Sequence, residues 1–173
     1  MSASVSGSRI FLFGGWLGFA EETNIIQCFD TITQTCFVVG NLPSPCKDSR
    51  AITFNKKTYI VTANGEIFVF TQDHTTKIVD KINNFSKKNF GIYKDEHSLY
   101  AIGGDQVLEE SYDYTSKASD QIIAVNLNKT GHDSLPEYES LPEILPTALD
   151  AYGCYKVIIK SKYPLIEFEE QFA

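Results

Sequence analysis

Three histidines, His74, His97 and His132, are the side chains best suited to acid–base or metal chemistry near neutral pH. None lies within ligand spacing of another, so no histidine cluster for copper, iron or zinc can be assembled. Each is expected on a loop or loop edge, as a surface residue. Carboxylates gather at Glu21-Glu22, Asp105, Glu109-Glu110 and Asp113. A paired-carboxylate catalyst needs two acids on a rigid floor, one of them desolvated so that its pKa rises. These acids lie in stretches that read as long, solvated loops. The four cysteines, Cys28, Cys36, Cys46 and Cys154, include no CxxC pair and are expected as reduced thiols, mostly buried as small apolar side chains. "FGGWLG", residues 13–18, follows an apolar run without opening a helix, so it supplies no helix N-terminus for a phosphate. The expectation is no catalytic residue, no metal and no cofactor.

Charge narrows the partners. With 22 acidic against 15 basic residues the net charge is −7, which repels phosphate backbones and excludes nucleic acid as an expected partner. Lys56-Lys57 and Lys87-Lys88 are isolated pairs, expected as solvated loop charges. No apolar run approaches the roughly 18 residues of a membrane-spanning helix, and "MSASVSGSRIFLFGG" lacks the make-up of a secretory signal. A cytoplasmic address is the expectation. Apolar residues in loops are more suggestive of function. Trp16, the one tryptophan, has Leu17 and Phe19 beside it. Together they form either an exposed tip that meets a partner or a cap folded over the first repeat. "EESYDYTSKASD" sets Tyr112 and Tyr114 between acids, which suits either a protein contact or a surface insertion.

The elements that must hold these residues repeat along the chain. Aromatic residues make up 13%, with Phe and Tyr well ahead of Trp, a bias toward strands. "RIFLFGG" ends at Gly14-Gly15, "TYIVTANG" at Asn64-Gly65 and "LYAIGG" at Gly103-Gly104. Each short strand stops at glycine, where positive φ is cheap. A second apolar run follows each stop, at residues 24–30, 66–71 and 121–127, and a third at 36–42, 76–82 and, more weakly, 132–141. Another strand sits ahead of each glycine-ended run, as at 50–54 and 89–93, and 148–160 looks like the same pair beginning again. The connection after the glycines varies most. It is long and acidic at 16–23 and 105–120, but a tight hairpin at Asn64-Gly65. No dozen-residue window has helical periodicity with caps. The chain reads as all-β, in units of four short antiparallel strands spanning about 1–48, 49–87, 88–146 and a partial 147–173.

Such units resemble kelch β-propeller blades. Gly14-Gly15 and Gly103-Gly104 match the diglycine that closes the second strand of a kelch blade, with Gly65 in the corresponding place. Phe29-Asp30 matches the aromatic–aspartate pair that ends its third strand, and Thr33 the threonine in the turn beyond. Leu42-Pro43 followed by Arg50 matches the connection into the next blade. The sequence departs from the pattern in three places. The tryptophan expected on the fourth strand is absent, with Cys36 standing there. The second unit has Asn64-Gly65, and the third Val125-Asn126 where an aromatic–aspartate pair belongs. The resemblance implies a propeller of about three to three and a half blades, an incomplete ring. It also implies a non-catalytic protein-interaction or scaffold role, cytoskeletal or within a multisubunit assembly. A ring this short leaves apolar blade faces for a protein partner or for self-association to cover. Trp16, Leu17, Phe19, Tyr112 and Tyr114 are the expected contact residues. The alternative is an enzyme or small-ligand binder with its site at the propeller centre.

Overall fold

The computed structural model describes residues 1–18, 21–108, 115–127, 138–140, 156–160 and 165–169. Those residues contain strands and no helix. The first four, β1 (Ser2–Ser6), β2 (Arg9–Trp16), β3 (Glu22–Asp30) and β4 (Thr35–Asn41), form an antiparallel meander in chain order. A second meander repeats it with β5 (Ser49–Phe54), β6 (Lys57–Thr62), β7 (Glu66–Phe70) and β8 (Thr76–Lys81). The third unit is longer: β9 (Lys87–Lys88), β10 (Gly91–Lys94), β11 (Ser98–Ile102), β12 (Asp105–Leu108), β13 (Thr115–Ala118), β14 (Ile122–Asn126) and β15 (Tyr138–Ser140). Of these, β10-β11-β14-β15 make the third four-stranded sheet, while β13-β12-β9 make a small separate one. A final hairpin joins β16 (Lys156–Lys160) to β17 (Leu165–Glu169).

Tight turns set the register of each meander. Asn55 and Lys56 both have positive φ, 48° and 62°, the geometry of a two-residue hairpin turn whose twist matches the flanking strands. At the end of β3, Asp30 Oδ1 accepts hydrogen bonds from the backbone N–H groups of Ile32 (2.9 Å) and Thr33 (3.2 Å). These bonds, Thr33's first, hold the Asp30 carboxyl below its ordinary pKa. The matched aromatic–aspartate pair is thus a turn device.

The sheets stack face to face, which explains why their strands are apolar on both sides. One core joins Phe11, Phe13, Ile26 and Cys28 of the first sheet to Ile60, Phe68 and Phe70 of the second. Phe11 and Phe13 meet Phe70 with ring centroids at 5.1 and 5.4 Å. The other core joins Val61 and Ile67 of the second sheet to Leu99, Ala101 and Val125 of the third, with Ile82, Phe85 and Phe90 from the connection between them. Ile60 and Val61, like Phe68 and Ile67, are neighbours that point to opposite faces. Burying such a side chain contributes about 1.5–3 kcal/mol, so sheet-to-sheet packing carries most of the stability. The first strands of the units, β1, β5 and β10, lie next to one another in series. Small hydroxyl residues join β1 to the second sheet, Ser2 Oγ with Ser49 Oγ of β5 at 2.8 Å and Ser4 Oγ with Thr58 Oγ1 of β6 at 3.3 Å. The result is an open arc of propeller blades.

Glycine is required where the sheets meet their connections. A Cβ on Gly14, whose φ is +60°, would lie 2.4 Å from the carbonyl oxygen of Cys46. On Gly65 it would lie 2.4 Å from that of Ile82.

β1 is the strand expected ahead of the first glycine-ended run. Two expectations need correcting. The third-unit connection is not a plain acidic loop, because β12 and β13 pair as a hairpin and β12 also pairs with β9. Lys87 is no solvated loop charge. It sits on β9, 5% exposed, with Nζ donating to Ser119 Oγ at 2.7 Å and Gln121 Oε1 at 3.3 Å.

Candidate functional site

The two ends of the blades differ. One carries the tight turns, the other the glycine stops and the connections between blades. On the glycine side, Gly14-Gly15 introduce a register shift in the β2–β3 pairing, after which Trp16 stands across from Glu22. Trp16 is therefore the last residue of a strand, where the sequence alone had placed it in a loop. The residue is 56% exposed, with Lys47 Nζ 5.3 Å from the ring centroid. The same ammonium lies 3.3 Å from Glu22 Oε1. Leu17 follows, 60% exposed, in a tight loop where its N–H donates to the Glu21 carbonyl at 2.9 Å. Met1, also exposed, lies against Gly15. Trp16 does not fold back into the core, and both it and Leu17 are exposed. Phe19, Tyr112 and Tyr114 lie outside the described residues.

Along the same rim, the third unit holds a buried polar cluster that the sequence reading missed. Asp105, expected on a solvated loop, is buried and accepts a hydrogen bond from Asn89 Nδ2 at 3.0 Å. Lys87 ties β9 to the segment before β14. Burial lowers its pKa from the ordinary lysine value, and the charge of Asp120 acts against that shift. The available signal was its position between Phe85 and Phe90, both buried.

Arg50, on β5, reaches across to the third unit. Its Nε donates to the Phe90 carbonyl at 3.0 Å, with the guanidinium 6.0 Å from the Phe90 ring centroid. Lys94 is likewise buried at this junction, its ammonium near the rings of Phe54 (5.0 Å) and Tyr59 (5.7 Å). These cations bind blade to blade.

At the tight-turn end a cleft of about 260 Å³ opens between the first two sheets. Arg9, Lys56 and His74 line it, with hydroxyls from Ser6, Thr53, Thr58 and Thr71, and no acidic residue contributes. His74 lies in the β7–β8 turn, half-buried, with its ring stacked on Phe70 at 5.8 Å and 7°. Arg9 is shared with Asp30 at 3.3 Å. His97 is exposed in the turn before β11, and His132 lies outside the described residues. Among the described residues no three His, Cys, Asp or Glu side chains converge as a metal site requires.

No protein-family model matches the chain. No curated protein does either. Chains of solved structure do match, 86 of them, so the architecture is a widely used one and does not by itself select a function. One is "Structure of YjhT", with a TM-score of 0.62 at 9% sequence identity, covering 84% of this chain. The chain spans about half of that protein, 52% of its length. The likeness is one of fold. Among the described residues no helix is long and apolar enough to cross a membrane.

Proposed function

We propose that this chain is a kelch-type propeller arc that serves as a non-catalytic protein-interaction module, with the glycine-side rim of the first blade as its contact surface. The observation that carries this reading is the exposure of Trp16 and Leu17 side by side on a strand-borne rim. A large amphipathic ring held by a strand and flanked by a lysine is the kind of anchor that dominates protein interfaces. Scaffolding within a cytoskeletal or multisubunit assembly is the role the kelch resemblance suggests. A cytoplasmic address belongs to the same proposal. It draws support from Cys28 and Cys46, which pack in the first core as free thiols.

The test is a quantitative proximity-labelling comparison between the wild-type chain and Trp16→Ala/Leu17→Ala in cells. A defined subset of neighbours should be lost from the variant while its circular dichroism and melting curve stay unchanged. An identical set of neighbours would overturn the rim assignment.

A second reading, a small-ligand binder, is supported by the cleft lined by Arg9, Lys56 and His74. In a chain of net charge −7, a cleft without an acid suits a small anion. A rise in melting temperature with millimolar phosphate, abolished in Lys56→Gln, would favour this reading.

A further inference from the structure

The cleft at the tight-turn end is assembled from three separate turns of the first two sheets. Ser6 and Arg9 flank the β1–β2 turn, Lys56 stands in the β5–β6 turn, and Thr71, Gln72 and His74 come from the β7–β8 turn. Phe11 and Phe70 form the floor, and both belong to the first core, so the floor is rigid. The His74 ring lies on it, stacked on Phe70 and edge-on to Phe11 at 5.9 Å. An aromatic floor thus meets a cationic edge.

The cations there have donors to spare. Lys56 has no ion-pair partner among the described residues. Arg9 donates to Asp30 Oδ2 through Nε alone, at 3.3 Å, and its two terminal nitrogens meet no acceptor among the described residues. A guanidinium fork matches two oxygens of a phosphoryl group. The neighbouring Asp73 is turned into its own loop, where the Thr75 N–H donates to it at 3.4 Å and the Thr71 and Thr75 hydroxyls also donate.

We propose that this cleft binds a small phosphate monoester, its phosphoryl group between Arg9 and Lys56 and its organic carrier against the imidazole of His74. The assignment rests on the small-ligand reading and names the ligand class for it. Two cations from different turns favour a dianion over a carboxylate, because each contributes its own attraction. The aromatic floor does nothing for free phosphate but shelters an apolar carrier from water. At about 260 Å³ the space is below the usual range for drug-sized ligands, which restricts the carrier to roughly one ring. Asp30 competes with the phosphoryl group for Arg9 and so holds the affinity down.

Calorimetric titration of the chain with phenyl phosphate, inorganic phosphate and phenol tests this. Phenyl phosphate should bind about tenfold more tightly than inorganic phosphate, and phenol not measurably. Lys56→Gln should weaken both phosphates about tenfold. Asparagine tolerates the φ of +63° found at His74, so His74→Asn should fold, lose the advantage of phenyl phosphate and bind inorganic phosphate as before. Asp30→Asn keeps an oxygen for the Ile32 and Thr33 N–H groups while releasing Arg9, and should tighten both phosphates, a gain that misfolding cannot produce. Unchanged affinity in that variant would overturn the placement of Arg9. Equal affinity of the wild-type chain for the two phosphates would overturn the proposal and leave a simple anion site standing. Binding of neither phosphate, or binding that survives Lys56→Gln, would overturn the small-ligand reading as well.

Discussion

Gly7 and Gly14 share a φ of +60°, yet their surroundings differ in a way that a pair of alanine substitutions can separate. Nothing lies within 4 Å of a Cβ built on Gly7. Gly7→Ala should therefore cost only the left-handed backbone strain, about 1–2 kcal/mol. Gly14→Ala carries the same strain and a collision. Its Cβ would lie 2.4 Å from the Cys46 carbonyl oxygen and 2.8 Å from Cys46 Sγ. A backbone oxygen cannot swing aside as a side-chain tip does. The connection holding it is pinned by Gly15 N–H donating to that carbonyl at 2.8 Å and by Cys46 N–H donating to the Thr23 carbonyl at 3.2 Å. Loosening two hydrogen bonds adds about 1–3 kcal/mol. The gain from a less flexible unfolded chain applies to both variants and cancels in the comparison. Urea unfolding should thus give Gly14→Ala an unfolding free energy about 2 kcal/mol below that of Gly7→Ala, seen as a lower midpoint with equal slopes. Equal midpoints would refute the idea that the glycine stop exists to admit the inter-blade connection, leaving backbone conformation as its sole role.

Other perturbations bear on the junctions between blades. Phe68→Ala empties the centre of the first core and should cost about 3–5 kcal/mol by urea unfolding. Arg50→Met removes a charged donor from the Phe90 carbonyl at a half-buried site and should cost about 1–2 kcal/mol, with near-ultraviolet dichroism reporting loosened packing in the third unit. Lys87 has a distinctive pH signature. Burial lowers its pKa in the folded state, so between the folded and unfolded values the unfolded chain binds more protons and stability rises with pH. Wild-type stability relative to Lys87→Met should therefore climb as pH is raised from neutrality toward the ordinary lysine pKa of 10.5. A flat difference in chemical denaturation across that range would contradict the assignment.

The repeat was legible because strands and their stops are local. Alternating Phe, Ile and Val runs ending at Gly14-Gly15, Asn64-Gly65 and Gly103-Gly104 announce four-stranded units before any partner strand is known. The repeat called for a strand ahead of Arg9 but its bounds at Ser2–Ser6 were not legible, since Ala3 and Val5 are its only apolar residues and β2 supplies its pairing. The hairpin of β12 and β13 escaped for a similar reason. Its polar residues form strands because β9, distant in sequence, offers an edge. A lysine pair reads as solvated charge, and only the acceptors around residues 103–121 reveal why Lys87 is inside. Trp16 left two readings open in the sequence. The register across from Glu22 and the position of Lys47 over its ring decide between them.

The hairpin that interrupts the third blade also bears on how the arc assembles. In the second sheet β6 and β7 are joined through 63–65, so their pairing closes a minimal loop. In the third, β11 and β14 meet only after 103–121 has been accommodated. Loop-closure entropy makes that pairing costlier by about 1.5 kcal/mol, unless β12 and β13 have already zipped together and shortened the effective loop. The middle blade is then the natural nucleus, and the last complete blade should form late, after its own insertion. Pulse-labelled hydrogen exchange during refolding would register this as protection across 57–70 preceding protection across 98–126. Simultaneous protection would mean that the blades condense as one.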